Sequence, residues 1–229
     1  MWYSAPISFN DPYDCDFALD EPAIINSLLY SIARDNNMRK GSVAWKSAYI
    51  TLKKEFPKFK MVIEDMKSSM GVACLCEDYN NVLMWSHYAN NHKGMCVKYN
   101  LMDFNRILKY TPIPVIYSKN RNVLRRLRMN YIEHDITSLF VENLVNKEEA
   151  WKYENEWRIV RDEKACGEQW DNTRHGALLD SIRPEAVIIG CNADRKFENE
   201  VKGKCKSEGI RVFKMEKRNN DYGMNKIEL

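Results

Sequence analysis

Two apolar runs near the end of the chain, AVIIG at 186–190 and IRVFKM at 210–215, flank a stretch with helical spacing at 194–208. Both runs are rich in Val, Ile and Phe, which fit a pleated, half-buried surface, so both are expected as strands. A strand, a helix and a second strand at this spacing fit a parallel crossover, which needs a sheet to close onto. The unit argues against an all-helical chain and against a simple antiparallel meander.

Upstream, residues 22–35 have helical spacing with Pro22 in the first turn, and 43–69 read as helical with a break near Pro57. The runs at 70–76, 95–99, 113–118, 155–161 and 176–180 read as strands. Residues 82–92 read as a short helix stopped by Gly94. Residues 122–145 read as a long amphipathic helix, with Leu124, Leu127, Tyr131, Leu139 and Leu144 near one stripe. Helices cluster early and strands recur throughout, which predicts an α+β fold with a mixed sheet. A chain of 229 residues fits a single domain over 1–229, with a helical segment at 22–69 and a mixed-sheet core at 70–229.

With 45% apolar and 29% charged residues, the composition is that of a globular protein. A net charge of +3 is too mild to imply nucleic acid from the total alone; only a local patch could do so. Seven cysteines, an odd number with no Cys-x-x-Cys pair, suggest reduced thiols. The start, Met1-Trp2-Tyr3-Ser4, has no basic stretch leading into an apolar run, and no apolar stretch approaches the ~20 residues of a membrane helix. The expectation is a cytoplasmic protein with no membrane association.

Three motifs carry the candidate chemistry. In MWSHYANNHKG (84–94), helical projection puts Trp85, Tyr88, Ala89 and His92 on one face and Met84, His87 and Asn91 on the other. The two histidines diverge and lie five apart, which argues against a metal pair, so no metal is expected. Either the rings pack a core, or Trp85, Ser86, Tyr88, His92 and Lys93 line a pocket. In YENEWR (153–158), strand alternation puts Glu154, Glu156 and Arg158 on one face and Tyr153, Trp157 and Ile159 on the other. With Trp157 and Ile159 buried, the carboxylates would face a cleft or solvent. They are then either a solvated charge ladder or an acid/base pair working with His87. In SFNDPYD (8–14), Asn10-Asp11-Pro12 predicts a tight turn that also offers an amide and a carboxylate to a ligand.

A basic run lies beside these motifs. Arg121, Arg125 and Arg128 would share one face of the 122–145 helix, as a phosphate grip for RNA or DNA or as a solvated face. Cys74 and Cys76 should face one way on their strand as core packing.

Together the three motifs resemble the bacterial domain-of-unknown-function family 2971, some members of which are associated with abortive phage resistance. The AVIIGCNAD strand fits the same pattern. Members of that family carry an N-terminal strand ahead of the FNDP segment. Only eight residues precede Phe9 here, so that strand is expected to be cut short or missing. The order of elements also resembles ADP-ribosyltransferases: an N-terminal loop, a mid-chain aromatic helix and a late strand Glu. That resemblance implies NAD or a related small-molecule nucleotide as substrate. It implies Glu156 at the ribose 2′-hydroxyl, stabilising an oxocarbenium-like transition state. It further implies Tyr88 or Trp85 stacked on nicotinamide, Arg158 and Lys93 at the pyrophosphate, and His87 or His92 on a ribose hydroxyl. Two other readings stay open at this point. One is a nuclease built on Glu154, Glu156, His87 and the basic run. The other is a non-enzymatic binding module of a defence system with a protein partner or macromolecular acceptor.

Overall fold

The structure, a computed structural model, describes residues 1–108, 110–128, 132–161, 170–179 and 182–229. Its helices are α1 (Glu21–Asp35), α2 (Val43–Ser69), α3 (Val82–Tyr88), α4 (Ile132–Leu144) and α5 (Arg195–Ser207). Its strands are β1 (Trp2–Ser4), β2 (Ala18–Leu19), β3 (Gly71–Cys76), β4 (Met95–Lys98), β5 (Ile113–Pro114), β6 (Ile116–Ser118), β7 (Val123–Leu124), β8 (Asn146–Glu148), β9 (Glu156–Arg161), β10 (Trp170–Asp171), β11 (Gly176–Leu178), β12 (Ala186–Ile189), β13 (Arg211–Lys217) and β14 (Met224–Glu228). The fold is α+β with mixed sheets.

The strands form a six-stranded sheet in the order β10-β11-β1-β3-β9-β5 and a four-stranded sheet in the order β14-β13-β12-β4. Two parallel pairs, β2-β7 and β6-β8, stand apart from them. The expected crossover is present: β12 and β13 pair in parallel from Ala186↔Arg211 to Ile189↔Lys214, with α5 between them. Asp194 starts α5 by accepting from the Phe197 amide at 2.8 Å. Val187, Ile189, Val201, Cys205 and Val212 form an aliphatic core between helix and sheet.

The N-terminal strand is neither missing nor peripheral. β1 runs antiparallel between β11 and β3, with Tyr3↔Ala177 and Ser4↔Val72 in register. Tyr3 is fully buried among Ala73, Phe104, Ile159 and Ala177. Three residues before a turn are too short to show a period, so the burial of Tyr3 has no local signal. A Cβ on Gly176 would meet the Tyr3 carbonyl oxygen at 2.3 Å, so the two backbones cross where only glycine fits.

Three other expectations change. Pro57 does not break its helix, because α2 runs unbroken from Val43 to Ser69. Pro57 and Lys53 are both exposed, so water can satisfy the carbonyl the proline leaves free. The helix of 82–92 stops at Tyr88, and Asn90, Asn91 and His92 follow in the left-handed region at φ 48°, 53° and 66°. The long helix of 122–145 begins only at Ile132. Ahead of it the chain extends to pair β7 with β2, and Leu127 is driven between α1 and α2 with Ile24, Ile25 and Phe56. Tyr131 and the Leu139 side chain lie outside what is described. Among the described residues no helix is long and apolar enough to cross a membrane.

Candidate functional site

β3 and β9 pair antiparallel through six residues, with Cys74↔Arg158 and Cys76↔Glu156 in register. Paired positions share a face, so both cysteines lie on the side that carries Glu156 and Arg158. Ala73 and Ile159 take the opposite face into the core with Tyr3. The alternation of the YENEWR strand is therefore real from Glu156 onward, but the carboxylate face does not look out to solvent. Glu154, Glu156 and Arg158 are 3%, 5% and 0% exposed. Both faces of β9 are covered, and the charged face is covered by the N-terminal turn, α4 and β8.

Each cover supplies a partner. The SFNDPYD turn closes as its sequence suggests, with Asp11 Oδ1 accepting from the Tyr13 amide at 2.8 Å. Asp11 is itself buried, whereas Asn10 is exposed. The turn presents Asp14, which takes two hydrogen bonds from the Arg158 guanidinium at 2.8 and 2.7 Å. Phe9 lays its ring 5.5 Å from the Arg158 guanidinium carbon. Arg158 also donates to Glu156 at 2.8 and 3.0 Å and to the Leu144 carbonyl at 2.9 Å. All of its nitrogens are occupied and it has no exposed surface, so it has nothing left to offer a pyrophosphate.

β8 supplies the second cation. Lys147 Nζ donates to Glu154 at 2.6 Å and to Glu156 at 2.9 Å, and stands 3.3 Å from Asp14. Glu154 is not on the strand: it ends a 3-10 turn at 149–154, and Asn155 at φ 42° turns the chain into β9. That left-handed step brings Glu154 round to Lys147 beside Glu156. Tyr117 Oη accepts from the Glu156 amide at 2.8 Å and steadies the start of the strand.

The cluster encloses three carboxylates, Asp14, Glu154 and Glu156, against two cations, Lys147 and Arg158. Burial pushes the Glu156 carboxyl up, but the hydrogen bonds and charge of Arg158, with Lys147, outweigh it and hold the group at about 2. Lys147 loses charge stability by burial and regains more from Glu156, Asp14 and Glu154, so its ammonium is held well above its ordinary range.

One side of the cluster reaches the surface. Tyr88, half-exposed at the end of α3, donates to Glu154 Oε1 at 2.5 Å. Burial and that bond keep its phenol protonated well above the ordinary range. His87 meets the Tyr88 ring at 6.3 Å and in turn stands 6.3 Å from Trp151 and 6.4 Å from Tyr153 between ring centroids. Trp151 also covers Lys147, 5.1 Å from its ammonium. Beside the cluster, Cys74 stands opposite Arg158 in the β3–β9 register, on the face that carries Glu156. Its side chain is reached by solvent, yet desolvation by surrounding protein pushes its thiol well above the ordinary range. A side chain reached by solvent is not the core packing expected of it.

The other predicted residues lie across α3. Trp85 is 3% exposed and packs with Ile188, Met215 and Met224 of the four-stranded sheet, its indole donating to the Tyr79 carbonyl at 2.7 Å. No face of it is free to stack on a ligand. Ser86 Oγ meets His92 Nε2 at 3.0 Å, and burial, with Lys217 nearby, lowers the His92 pKa. Lys93 is exposed on the same loop. That loop is locked to the β12 end: a Cβ on Gly190 would sit 2.1 Å from the His92 carbonyl oxygen. The two histidines diverge as expected, but Tyr88 sides with His87 and not with Trp85.

The basic run does not form one face. Arg121 pairs with Asp16, and Arg125 stands 3.6 Å from Asp20, while Arg128 is exposed beside α1. The strand at 123–124 and non-helical backbone at 125–128 replace the helix that would have aligned them. Among the described residues, no group of three His, Cys, Asp or Glu side chains is placed to hold a metal.

Sequence reasoning missed Asp14, Lys147, Tyr117 and the exposure of Cys74. Asp14 lies inside the quoted SFNDPYD motif, which was the available signal. Lys147 sits in NKEEA, where no local pattern marks it.

Residues 84–159, from α3 through β9, match the family model described as "Protein of unknown function (DUF2971)". The match covers both sides of the Tyr88–Glu154 contact and stops one residue past Arg158. No curated protein and no solved structure matches the chain.

Proposed function

We propose that the protein is an enzyme that breaks the glycosidic bond of NAD or a related nucleotide in the cytoplasm, in the manner of ADP-ribosyltransferases. One observation carries the reading: a buried charge cluster with one carboxylate in excess is joined to the surface by a half-exposed tyrosine that stands against His87 and its aromatic neighbours. In the reaction the bond between C1′ of the ribose and the nicotinamide nitrogen breaks. Nicotinamide leaves with the electron pair, and positive charge develops at C1′. Water, or an acceptor nucleophile, adds to C1′ and loses its proton. A carboxylate fixed beside that charge is preorganised electrostatic stabilisation.

Glu154 fits that role better than Glu156. Both oxygens of Glu156 are tied to Arg158 and Lys147, so Glu156 acts as a positioning residue. Among the described residues, Oε1 of Glu154 is hydrogen-bonded by Tyr88 alone, whose rotation would free it. His87, Tyr88, Trp151 and Tyr153 supply a surface for a flat base, and the family resemblance adds the setting of phage defence.

The test is nicotinamide release from NAD by the purified protein, with cell extract added to supply acceptors, beside Glu154→Gln. Turnover that falls at least ~100-fold in Glu154→Gln supports the reading. No release from the wild type, or an unimpaired variant, would overturn it in favour of a binding module that uses the same aromatic wall.

A further inference from the structure

A second surface, on the helical side of the molecule, owes nothing to the charge cluster. On α1, Ser27, Tyr30, Ser31 and Arg34 follow i, i+3, i+4, i+7 and form one outward stripe. Recesses of about 620 and 630 Å3 lie on either side of this stripe and share Tyr30. Each falls within the ~300–1,000 Å3 range of small-ligand sites. The first is lined by Tyr30, Trp45 and Tyr49 together with Lys40 and Lys46. The second is lined by Ser27, Ser31, Arg34, Arg126 and Arg128.

The local architecture holds these groups where they are. Tyr30 is half-exposed and meets Trp45 edge-on at 5.0 Å, with Lys40 5.7 Å from its ring centre. Ser27 and Leu127 hydrogen-bond reciprocally, side chain to backbone, at 3.0 and 3.1 Å. With Leu127 turned into the core, its neighbours Arg126 and Arg128 both turn outward beside α1. Among the described residues lining the two recesses there are five cations and no carboxylate. Asp35, which pairs with Arg34 at 3.3 Å, lies outside the lining.

We propose that this surface binds single-stranded nucleic acid, with bases stacked on the Tyr30–Trp45–Tyr49 rings and phosphates held by the flanking lysines and arginines. Exposed rings between cations are the pairing that sequence-tolerant single-strand binding uses. A duplex hides its base faces and would gain only the charge contacts. The surface is made by the meeting of α1, α2 and the 125–128 segment, not by the helical face of Arg121, Arg125 and Arg128.

Fluorescence anisotropy with labelled ~12-nucleotide oligo(U) and oligo(dT), beside a duplex of the same length, tests the proposal. Binding to the single strands should exceed binding to the duplex and weaken about tenfold or more between 50 and 200 mM salt. Tyr30→Ala should weaken it about tenfold while Trp45→Phe, which keeps a ring, changes it less; Lys46→Gln with Arg126→Gln should flatten the salt dependence. Circular dichroism melts of each variant check the fold. No binding by the folded wild type would overturn the proposal. So would a duplex that binds as well as a single strand, or equal affinity for heparin with no loss in Tyr30→Ala.

Discussion

The two large sheets bury opposite kinds of core. Under the four-stranded sheet, Val187, Ile189, Val201, Cys205 and Val212 pack α5 onto β12 and β13 without a charged group. Beside the six-stranded sheet, the face of β9 that carries Glu156 and Arg158 buries five charged groups at the middle of the fold. Burying ions is costly, and well-packed apolar residues of similar volume often stabilise as well or better. The aliphatic core needs no explanation beyond folding. The charged one does: four of its five members, all but Asp14, fall within the 84–159 family match, and it lies beside the surface aromatics.

The comparison is sharpest at Arg158. Arg158→Met leaves Asp14 and Glu156 unpaired in the interior and should cost about 3–5 kcal/mol in urea denaturation. Ile189→Val in the aliphatic core should cost about 0.5–1.5 kcal/mol. Similar losses at both positions would erase the distinction between the two cores.

Acid should act on one core and spare the other. The Glu156 carboxyl is held at about 2, below its ordinary value of 4.5. A depressed folded pKa contributes stability that is complete above the unfolded value and is lost as pH falls through the folded one. Stability should therefore drop between about pH 4.5 and 2, and the drop should be shallower in Glu156→Gln. Ile189→Val should keep the steep limb of the wild type, offset by a constant amount. An effect of the same small size as Ile189→Val belongs to Tyr88→Phe, which removes one partly solvated hydrogen bond to Glu154 and should cost about 1 kcal/mol in the same denaturation assay.

How far each part was legible follows from the length scale of its signal. β12 and β13 showed in the sequence because each has its own run of apolar residues, and α5 showed by the helical spacing between them. The pairing of Glu156 with Arg158 showed because strand alternation operates over two residues. β1 did not, since three residues carry no period and Tyr3 is buried by strands whose paired residues, Val72 and Ala177, lie far along the chain. The helix expected at 122–145 failed at its start because Leu127 gains more from the cleft between α1 and α2 than from a helical stripe.

The amino-acid sequence by itself determined the fold class, the order of most elements, the turn at Asp11 and the divergence of His87 from His92. All of these are set by neighbours within a few residues. Only the tertiary structure decided that Asp14, Lys147, Glu154, Glu156 and Arg158 share one interior site, and that Trp85 belongs to a core while Tyr88 belongs to the surface. The charges come from a turn, a short strand, a 3-10 turn and a longer strand. Their meeting depends on the packing of β3 against β9 and on the left-handed step at Asn155, and no spacing along the chain encodes that convergence.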